Sequence, residues 1–335
     1  MKLSVAVTNY SWPDGGGLTD HLAALAQRID GTAVDTLWVA DHLLQMDPTA
    51  TIDEPMLEAY TTLGFLAAHT TRPDLQLLVT GVTYRHPAVA ANIAATLDHI
   101  SGGRAEYGVG AGWFEQEHRQ YGIPFPRIGV RMDMLDEACR VMRGLWTEER
   151  FSFDGEHYRL EDAQMDPKPL QARLPLLIGG AGEKRTLRIV AEHADVWNTS
   201  LGEIETFRHK LDVLSRHCED VGRDPAEIRK SLTFRAILAE DEAAVRARRR
   251  ELAPTLPIDE SNFVFVTPEQ CVERMLPFAE LGAGDFLLAA YSPYDWRSLE
   301  LVAREVAPAL RPRRGLGDAD QPCAPGAAPS PAETP

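Results

Sequence analysis

An aspartate–histidine pair, Asp41–His42, directly follows a β-rich run over residues 36–40. An imidazole, with a pKa near 6.5 in model peptides, can give or take a proton at neutral pH. A histidine that only holds a loop by hydrogen bonds would look the same in the sequence. If the run is a strand that ends at a ligand site, the pair predicts acid–base chemistry there, with His42 moving the proton and Asp41 orienting it.

Small and polar residues follow four other β-rich runs and are candidates for ligand binding. The segment over 179–182 precedes a helix with Lys184 and Arg185 in its first turn, and glycines at a helix N-terminus form a good phosphate site. For the other segments, ordinary turns and close strand packing are the alternatives. The candidates are Gly81, Val82 and Thr83; Gly110, Ala111, Gly112 and Trp113; Gly179, Gly180, Ala181 and Gly182; and Asn198 and Thr199.

These segments need elements to position them, and the chain alternates β-rich runs with helical periodicity. Several runs are continuously apolar, which is typical of parallel strands buried on both faces. Eight strands and their helices over residues 3–310 predict a (β/α)8 TIM barrel, favoured over a doubly wound open sheet because no nucleotide fingerprint follows the first strand. The predicted strands are 3–7, 36–40, 75–80, 104–109, 176–178, 195–198, 232–238 and 285–290.

The predicted helices are 18–29, 58–69, 87–101, 130–146, 184–193, 204–221, 242–252, 268–281 and 298–310. In the helix over 87–101, Val89, Ile93, Leu97 and Ile100 fall on one face, which we expect to pack on the barrel. Alternating aromatic and polar residues around Asp154–Gly155 predict a β-hairpin over 151–160, inserted between the fourth helix and the fifth strand.

Composition excludes several classes of function. The chain has 34 basic and 50 acidic side chains, a net charge of −16, which argues against a nucleic-acid or anionic membrane surface. The four cysteines form no C-x-x-C pair, and Glu117–His118 is not part of an H-E-x-x-H motif, so no metal site is expected. The first residues are typical of a strand rather than a signal peptide, and we expect a cytoplasmic protein.

The last residues differ from the rest. Residues 312–335 are rich in proline and alanine without apolar periodicity, so we predict a disordered tail after a barrel domain over 1–311.

Four segments together resemble the bacterial luciferase-like superfamily, and within it the branch of oxidoreductases that use coenzyme F420. They are WVADH, TGVTYRHPAVAANIAATLDHISGGR, GVGAGWFEQEHRQYGIPFP and LPLLIGGAGEKRTLRIVAEHADVWN. The stretches LDHISGGR and IGGAGEKRTLRI, in this order, are quite specific for the superfamily. They are less specific for the cofactor, because flavin-using members share much of the pattern.

The resemblance implies a (β/α)8 barrel with insertions, usually a homodimer, with the cofactor across the strand C-termini. The cofactor phosphate would meet the backbone near Gly179, Gly180 and Gly182. A non-proline cis peptide after the third strand would match Gly81–Val82. The Asp-His pair of the family matches Asp41 and His42, and its histidine transfers a proton.

The sequence departs from the sugar-phosphate dehydrogenases of this family, which carry a glutamate where Trp113 stands and a tryptophan where Met46 stands. These two differences argue against sugar-phosphate oxidation and leave the identity of the small-molecule substrate open. The main hypothesis is an F420-dependent oxidoreductase. The alternatives are an FMN-dependent monooxygenase that uses reduced flavin and oxygen, and a barrel that binds a ligand without catalysis.

Overall fold

A computed structural model describes residues 1–12, 16–47, 50–200, 202–252, 264–289 and 295–310, and its core is a closed ring of eight parallel strands. Each strand pairs with its neighbour in chain order, and the last pairs with the first, as in Leu3 with Phe286. The fold is therefore the predicted (β/α)8 barrel. Its strands are β1 (Lys2–Val7), β2 (Thr36–Val39), β3 (Asp74–Leu77), β5 (Ala105–Gly110), β8 (Leu176–Gly179), β9 (Val196–Ser200), β10 (Arg229–Leu238) and β12 (Ala283–Ala289).

Helices cover the outside of the ring and bury their apolar faces against it. They are α1 (Leu18–Asp30), α2 (Ala59–His69), α3 (Pro87–Ser101), α4 (Glu115–Tyr121), α5 (Ile128–Thr147), α6 (Thr186–His193), α7 (Ile204–Val221), α8 (Glu242–Leu252), α9 (Pro268–Glu280), α10 (Trp296–Leu301) and α11 (Ala307–Leu310). A π-helical segment, Val302–Val306, joins the last two, and a 3-10 turn, Pro225–Glu227, precedes β10.

Four short strands lie outside the ring. The predicted hairpin is present as β6 (Phe151–Asp154) and β7 (Arg159–Ala163), which pair antiparallel. β4 (Thr80–Gly81) pairs with β5, and β11 (Val264–Val266) pairs with β10. Neither β11 nor α4 was predicted from the sequence, and the predicted tail lies outside the described residues.

The third barrel strand contains a correction. The predicted strand over 75–80 divides into β3 and β4, and the non-proline cis bond between them joins Leu78 and Val79. The expected position, Gly81–Val82, is wrong. The bulge comes earlier because β3 stops pairing after Leu77 and β4 resumes on β5 at Thr80.

Helix α3 contains a second correction. Val89 and Ile100, expected to face the barrel, are 54% and 57% exposed. The buried face is made largely of alanines, which allow the helix to approach the strands closely; Ala91, Ala94 and Leu97 are among its residues.

The LDHISGGR segment lies at the amino-terminal end of the barrel, away from the strand C-termini. The Arg104 guanidinium donates to the carbonyl oxygens of Ser101 (2.7 Å), Pro73 (2.7 Å) and Thr70 (2.9 Å). Asp98 accepts from the backbone N–H of Gln171 at 2.9 Å. This motif therefore satisfies backbone groups at the ends of α2 and α3, and its function is structural.

No helix in the described part of the chain is both long enough and apolar enough to cross a bilayer.

Candidate active site

A cavity of about 450 Å³ opens at the carboxyl ends of the barrel strands, where TIM-barrel enzymes place their active sites. Its described lining comes from many strand ends, beginning with Ala6 near the end of β1 and Thr8 just after it, and ending with Thr233 and Arg235 on β10. This volume lies within the range of small-molecule and cofactor sites.

His42 lines the cavity and is held by Glu117, which α4 supplies. The Nδ1 of His42 lies 2.8 Å from Oε1 of Glu117, whose side chain is fully buried. Oε2 of the same carboxylate accepts from the backbone N–H of Leu43 at 2.8 Å. Because an ionised carboxylate can only accept, Nδ1 carries the proton and donates it. Nε2 is then the ring nitrogen left for a ligand in the cavity.

Glu117 is ionised in this setting. Burial opposes its ionisation, but hydrogen bonds from His42, Tyr84 and Leu43 hold the pKa of Glu117 below its usual 4.5. In turn, burial and the bond to Glu117 raise the pKa of the Tyr84 phenol well above 10. Tyr84 therefore stays protonated and donates to Glu117.

Asp41 lies beside His42 in the sequence but does not orient it, which corrects the prediction. Its buried carboxylate pairs with Arg85, Oδ1 lying 3.2 Å from one guanidinium nitrogen, and also accepts from the Thr80 hydroxyl. Arg85 reaches on to Glu58 at 2.7 Å and lies over the Tyr60 ring. Both residues follow the end of β2 and line the cavity, but Asp41 pairs with Arg85 and His42 pairs with Glu117.

Glu117 was not predicted as a site residue, and neither were Tyr84 and Arg85. The sequence of α4, EQEHRQY, contains no apolar stripe, so nothing in it indicates that Glu117 and His118 are fully buried. His118 donates from Nδ1 to the carbonyl oxygen of Phe114 at 2.8 Å and meets the Thr83 hydroxyl through Nε2 at 2.6 Å. This bond anchors α4 to the segment after β4.

The glycines at the ends of β5 and β8 make room for Val79. A Cβ on Gly110 or Gly179 would lie 3.1 or 3.2 Å from a Val79 methyl group, and one on Gly108 would lie 3.0 Å from Val79 and still closer to the Leu77 carbonyl oxygen. The Val79 side chain thus fills the space that three glycines leave. The 108–112 run was predicted either to bind a ligand or to allow close strand packing, and Gly108 and Gly110 allow close packing.

The segment after β8 forms a cradle at the N-terminus of α6. Gly180 has a φ of +124°, which favours glycine, and a Cβ on Gly182 would lie 2.8 Å from the Thr186 hydroxyl. The Trp197 indole N–H donates to the Gly180 carbonyl at 2.7 Å. Thr186 lines the cavity and was not predicted. Such a cradle suits an anionic group.

The two cations expected beside this cradle have different positions. Arg185 turns to α5, where it donates to the Gly129 carbonyl at 3.0 Å and pairs with Asp133. Lys184 is exposed. The cradle therefore offers backbone and hydroxyl groups, with positive charge at its rim.

Most predicted site residues meet at the cavity, but five do not line it. Asn198 and Ser200 line it, whereas Thr199 between them points to the other side of β9. Val82 is buried behind the cavity, and Thr83 is bound to His118. The predicted residues that line it are Asp41, His42, Gly81, Gly110, Ala111, Gly112, Trp113, Gly179, Gly180 and Asn198, while Val82, Thr83, Ala181, Gly182 and Thr199 do not.

The walls of the cavity differ in polarity. Asn198, Ser200 and Thr233 give one side hydroxyl and amide groups, and Arg235 adds a guanidinium. The opposite side is mostly apolar, with Trp38, Met46, Leu78, Trp113, Ile128 and Met132. A long ligand with a flat apolar part and a polar, anionic tail would match both walls and the cradle.

The family model for luciferase-like monooxygenases matches residues 1–265. Uncharacterised proteins of Mycobacterium tuberculosis and Mycobacterium bovis are 36% identical over 149 residues, 44% of this chain; this match spans about half (52%) of the length of those relatives. An F420-dependent glucose-6-phosphate dehydrogenase of Kineococcus radiotolerans is 28% identical over 320 residues, 87% of this chain and 93% of that protein.

Flavin-dependent relatives also match. An FMNH2-dependent dimethylsulfone monooxygenase of Pseudomonas putida is 28% identical over 260 residues, 67% of this chain and 71% of that protein. Among solved structures, an F420-dependent secondary alcohol dehydrogenase has a TM-score of 0.76 at 22% identity, covering 93% of this chain and 99% of that one. The relatives therefore include both F420-dependent oxidoreductases and FMN-dependent monooxygenases.

Proposed function

Because the chain belongs to the luciferase-like monooxygenase family, we propose that it is an oxidoreductase that uses coenzyme F420. A hydride passes between the deazaflavin and a small organic substrate, and His42 gives or takes the accompanying proton. The observation that carries the proposal is the His42–Glu117 pair at the cavity wall, 2.8 Å apart.

The residues of the cavity fit such a cofactor. The flat ring would lie over the bulge that contains Leu78 and Val79, and the phosphate would meet the cradle at Gly179, Gly180 and Thr186. When bound, the deazaflavin supplies a two-electron hydride carrier. The protein contributes orientation and the exclusion of water from the reacting atoms.

His42 is arranged for proton transfer at one defined atom. Its Nδ1 is committed to Glu117, so Nε2 is the nitrogen that exchanges a proton with the substrate oxygen. A carboxylate behind an imidazole fixes its tautomer and stabilises the imidazolium form. Asp41 contributes indirectly. It accepts hydrogen bonds from Arg85 and Thr80, which hold the segment after β2 in place.

The extent of the alignments supports F420 over FMN. The F420-dependent relative aligns over 87% of this chain, against 67% for the FMNH2-dependent one at equal identity. The second candidate function is an FMN-dependent monooxygenase, which the similarity to dimethylsulfone monooxygenase favours.

A side-by-side fluorescence titration with F420 and FMN tests the choice. We expect tight binding of F420 and weak binding of FMN, and the reverse would move the protein to the oxygen-using class. Thr186→Val is the matched variant, because it keeps the shape and removes the hydroxyl at the cradle. It should weaken the preferred cofactor several-fold. Binding of neither cofactor would remove both candidate functions.

We also propose that the chain forms a homodimer in the cytoplasm and acts on a small molecule, without nucleic acid or membrane partners. The exposed apolar side chains of α3, Val89 and Ile100, support a second copy as the partner. The mass of one chain is 37.0 kDa. Light scattering after size-exclusion chromatography should give twice this mass. Ile100→Glu should shift it toward the monomer, and a wild-type monomer at all concentrations would contradict the proposal.

A further inference from the structure

Two aromatic side chains lie beside the proposed proton carrier. Trp113 and Phe114 stack with their ring centroids 5.0 Å apart and 15° between their planes. The His42 ring meets both edge-on, with its centroid 5.4 Å from Trp113 and 5.9 Å from Phe114. We call this pair of rings the aromatic shelf.

The shelf is open to the cavity mouth. Trp113 lines the cavity and is 62% exposed, the largest exposure among the large apolar side chains of the described residues. Ile128, at the same mouth, is 56% exposed. Large apolar side chains that remain accessible at a concave site are typical of ligand contacts rather than of core packing.

The position of Trp113 is determined by the backbone before it. Gly112 has a φ of +76°, and a Cβ there would lie 3.4 Å from the Thr83 hydroxyl. Phe114 accepts a hydrogen bond at its carbonyl oxygen from Nδ1 of His118, which is fully buried. One side of the shelf is therefore tied to the anchored end of α4, and the exposed ring of Trp113 is presented to the cavity.

We propose that the aromatic shelf is the substrate subsite and that it takes a neutral, planar, conjugated carbonyl compound or the corresponding alcohol. This inference rests on the proposed function and adds the class of substrate. A planar substrate stacks on Trp113, and its oxygen reaches Nε2 of His42. The assignment moves Trp113 from the cofactor to the substrate.

The chemistry balances with the proposed cofactor. In the reductive direction, the carbonyl carbon of the substrate gains a hydride from reduced F420, and the π pair of the C–O bond moves to oxygen. The oxygen takes the proton from Nε2 of protonated His42, which gives the alcohol and oxidised F420. The oxidative direction reverses each step.

The charges of the site agree with a neutral substrate near the shelf. Among the described lining residues, Arg235 is on β10, on the polar wall, whereas Met46 and Ile128 on the same wall as Trp113 are apolar. Asp41 is paired with Arg85, and Asp47, the other carboxylate of the described lining, accepts from the Thr8 hydroxyl at 2.5 Å. Thus no unpaired carboxylate of the described lining is positioned to repel an electron-rich ring at the shelf, and a polyanion would find its contacts elsewhere.

Calorimetry with matched probes tests the subsite without turnover. The planar probe is 2-acetylnaphthalene, and the control probe is its saturated analogue with the decahydronaphthalene skeleton. Both are titrated into the protein with and without F420. We expect the planar probe to bind roughly tenfold more tightly, and Trp113→Ala to abolish that difference while Trp113→Phe keeps most of it. Leu170→Ala removes an equally exposed apolar side chain that does not line the cavity and should change nothing.

F420 affinity distinguishes the possible failures. Unchanged F420 binding in Trp113→Ala, with loss of the planar probe, supports the substrate subsite. Weakened F420 binding with an unchanged probe assigns Trp113 to the cofactor and overturns the inference. Equal binding of the two probes, or of neither, also overturns it. Failure of wild-type protein to bind F420 contradicts the proposed function, while the cofactor-free titration still tests the shelf.

Discussion

The two ends of the barrel each hold a cluster of charged side chains, and the clusters are built differently. At the amino-terminal end the charges come from the strands themselves: Lys2 Nζ lies 2.6 Å from Asp74 and 2.8 Å from Glu106, and Arg229 lies 2.6 Å from Glu106. At the carboxyl end, Arg85 and Glu117 come from a loop and a helix that follow the strands. The first cluster closes the barrel, and the second surrounds a cavity.

This difference separates stability from activity. Charges fixed on strands neutralise one another in the interior, and their loss leaves a buried ion without a partner. Charges supplied by the βα segments hold His42, which lines the cavity. Variants at one end should therefore affect unfolding, and variants at the other should affect turnover.

The largest expected effect is at the carboxyl end. His42→Ala removes the proposed proton carrier, and we expect turnover to fall by about 10³-fold or more, in the range of general acid–base catalysis. The affinity for the cofactor and the midpoint of urea unfolding should stay close to wild type. Steady-state kinetics with an F420 absorbance readout measures turnover. Full activity of the variant would contradict a role of His42 in proton transfer.

The next effect is at the opposite end. Glu106→Gln leaves Lys2 and Arg229 facing a buried neutral group, because the Glu106 side chain is only 4% exposed. Breaking such a network costs about 3–5 kcal/mol. Urea denaturation should show this loss, while kcat/KM of the folded fraction stays unchanged. A stable variant with reduced kcat/KM would contradict the division between the ends.

Substitution of Asp285, at the same end of the barrel, should raise the free energy of unfolding rather than lower it. Burial raises its pKa to about 6 from the usual 3.8, with Arg229 opposing the shift and Ser4 donating a hydrogen bond at 2.9 Å. Since the folded state binds this proton more tightly, its contribution to stability is complete below about pH 4 and is lost as the pH rises through about 6.

Asp285→Asn cannot ionise and keeps a hydrogen-bonding group for Ser4. It should therefore raise the free energy of unfolding at pH 8 by on the order of 3 kcal/mol relative to wild type, which corresponds to the rise of the Asp285 pKa from 3.8 to about 6. The gain should shrink toward pH 4.5. Denaturation curves at several pH values measure it, and a gain that is independent of pH would show that titration is not its cause.

The smallest of the four effects is also at the carboxyl end, where it tests whether Glu117 positions His42. Glu117→Gln keeps a hydrogen-bond acceptor near His42 but removes the charge behind the imidazole, and we expect kcat to fall about 10- to 100-fold. The pH at which kcat changes should also move, which a purely structural role would not produce. Tyr84→Phe removes only a donor to Glu117 and serves as the control, with a loss of less than about fivefold. Equal pH profiles for wild type and Glu117→Gln would contradict the positioning role.

The sequence predicts the barrel well because its strands are short, apolar and buried on both faces. Such strands produce short continuous apolar runs, which can be recognised from the local sequence alone. The cavity position follows from the barrel, so the sequence places His42 and the Gly179–Gly180 segment at strand ends that line it. The partner of His42, Glu117, could not be predicted from the sequence in this way. Glu117 lies on a polar helix with no apolar period, and its burial depends on where the fold places that helix.

Similar reasoning explains the errors. The apolar periodicity of α3 predicted that Val89 and Ile100 are in the core. The helix instead buries the small residues Ala91 and Ala94, because these allow it to approach the barrel closely. One of the two most specific stretches of the family resemblance, LDHISGGR, has a structural function around Arg104. A sequence signature can therefore identify the fold without lying in the site.

The exposure of Trp113 has a practical consequence. Of the six tryptophans, Trp38, Trp146 and Trp197 are buried and Trp12 and Trp296 are partly buried, so Trp113 is the one whose indole meets solvent most fully. Its fluorescence should be emitted at longer wavelength than that of the others and should be quenched selectively by iodide. The protein thus carries its own optical reporter at the cavity mouth, and occupancy can be followed without a label by comparing wild type with Trp113→Phe.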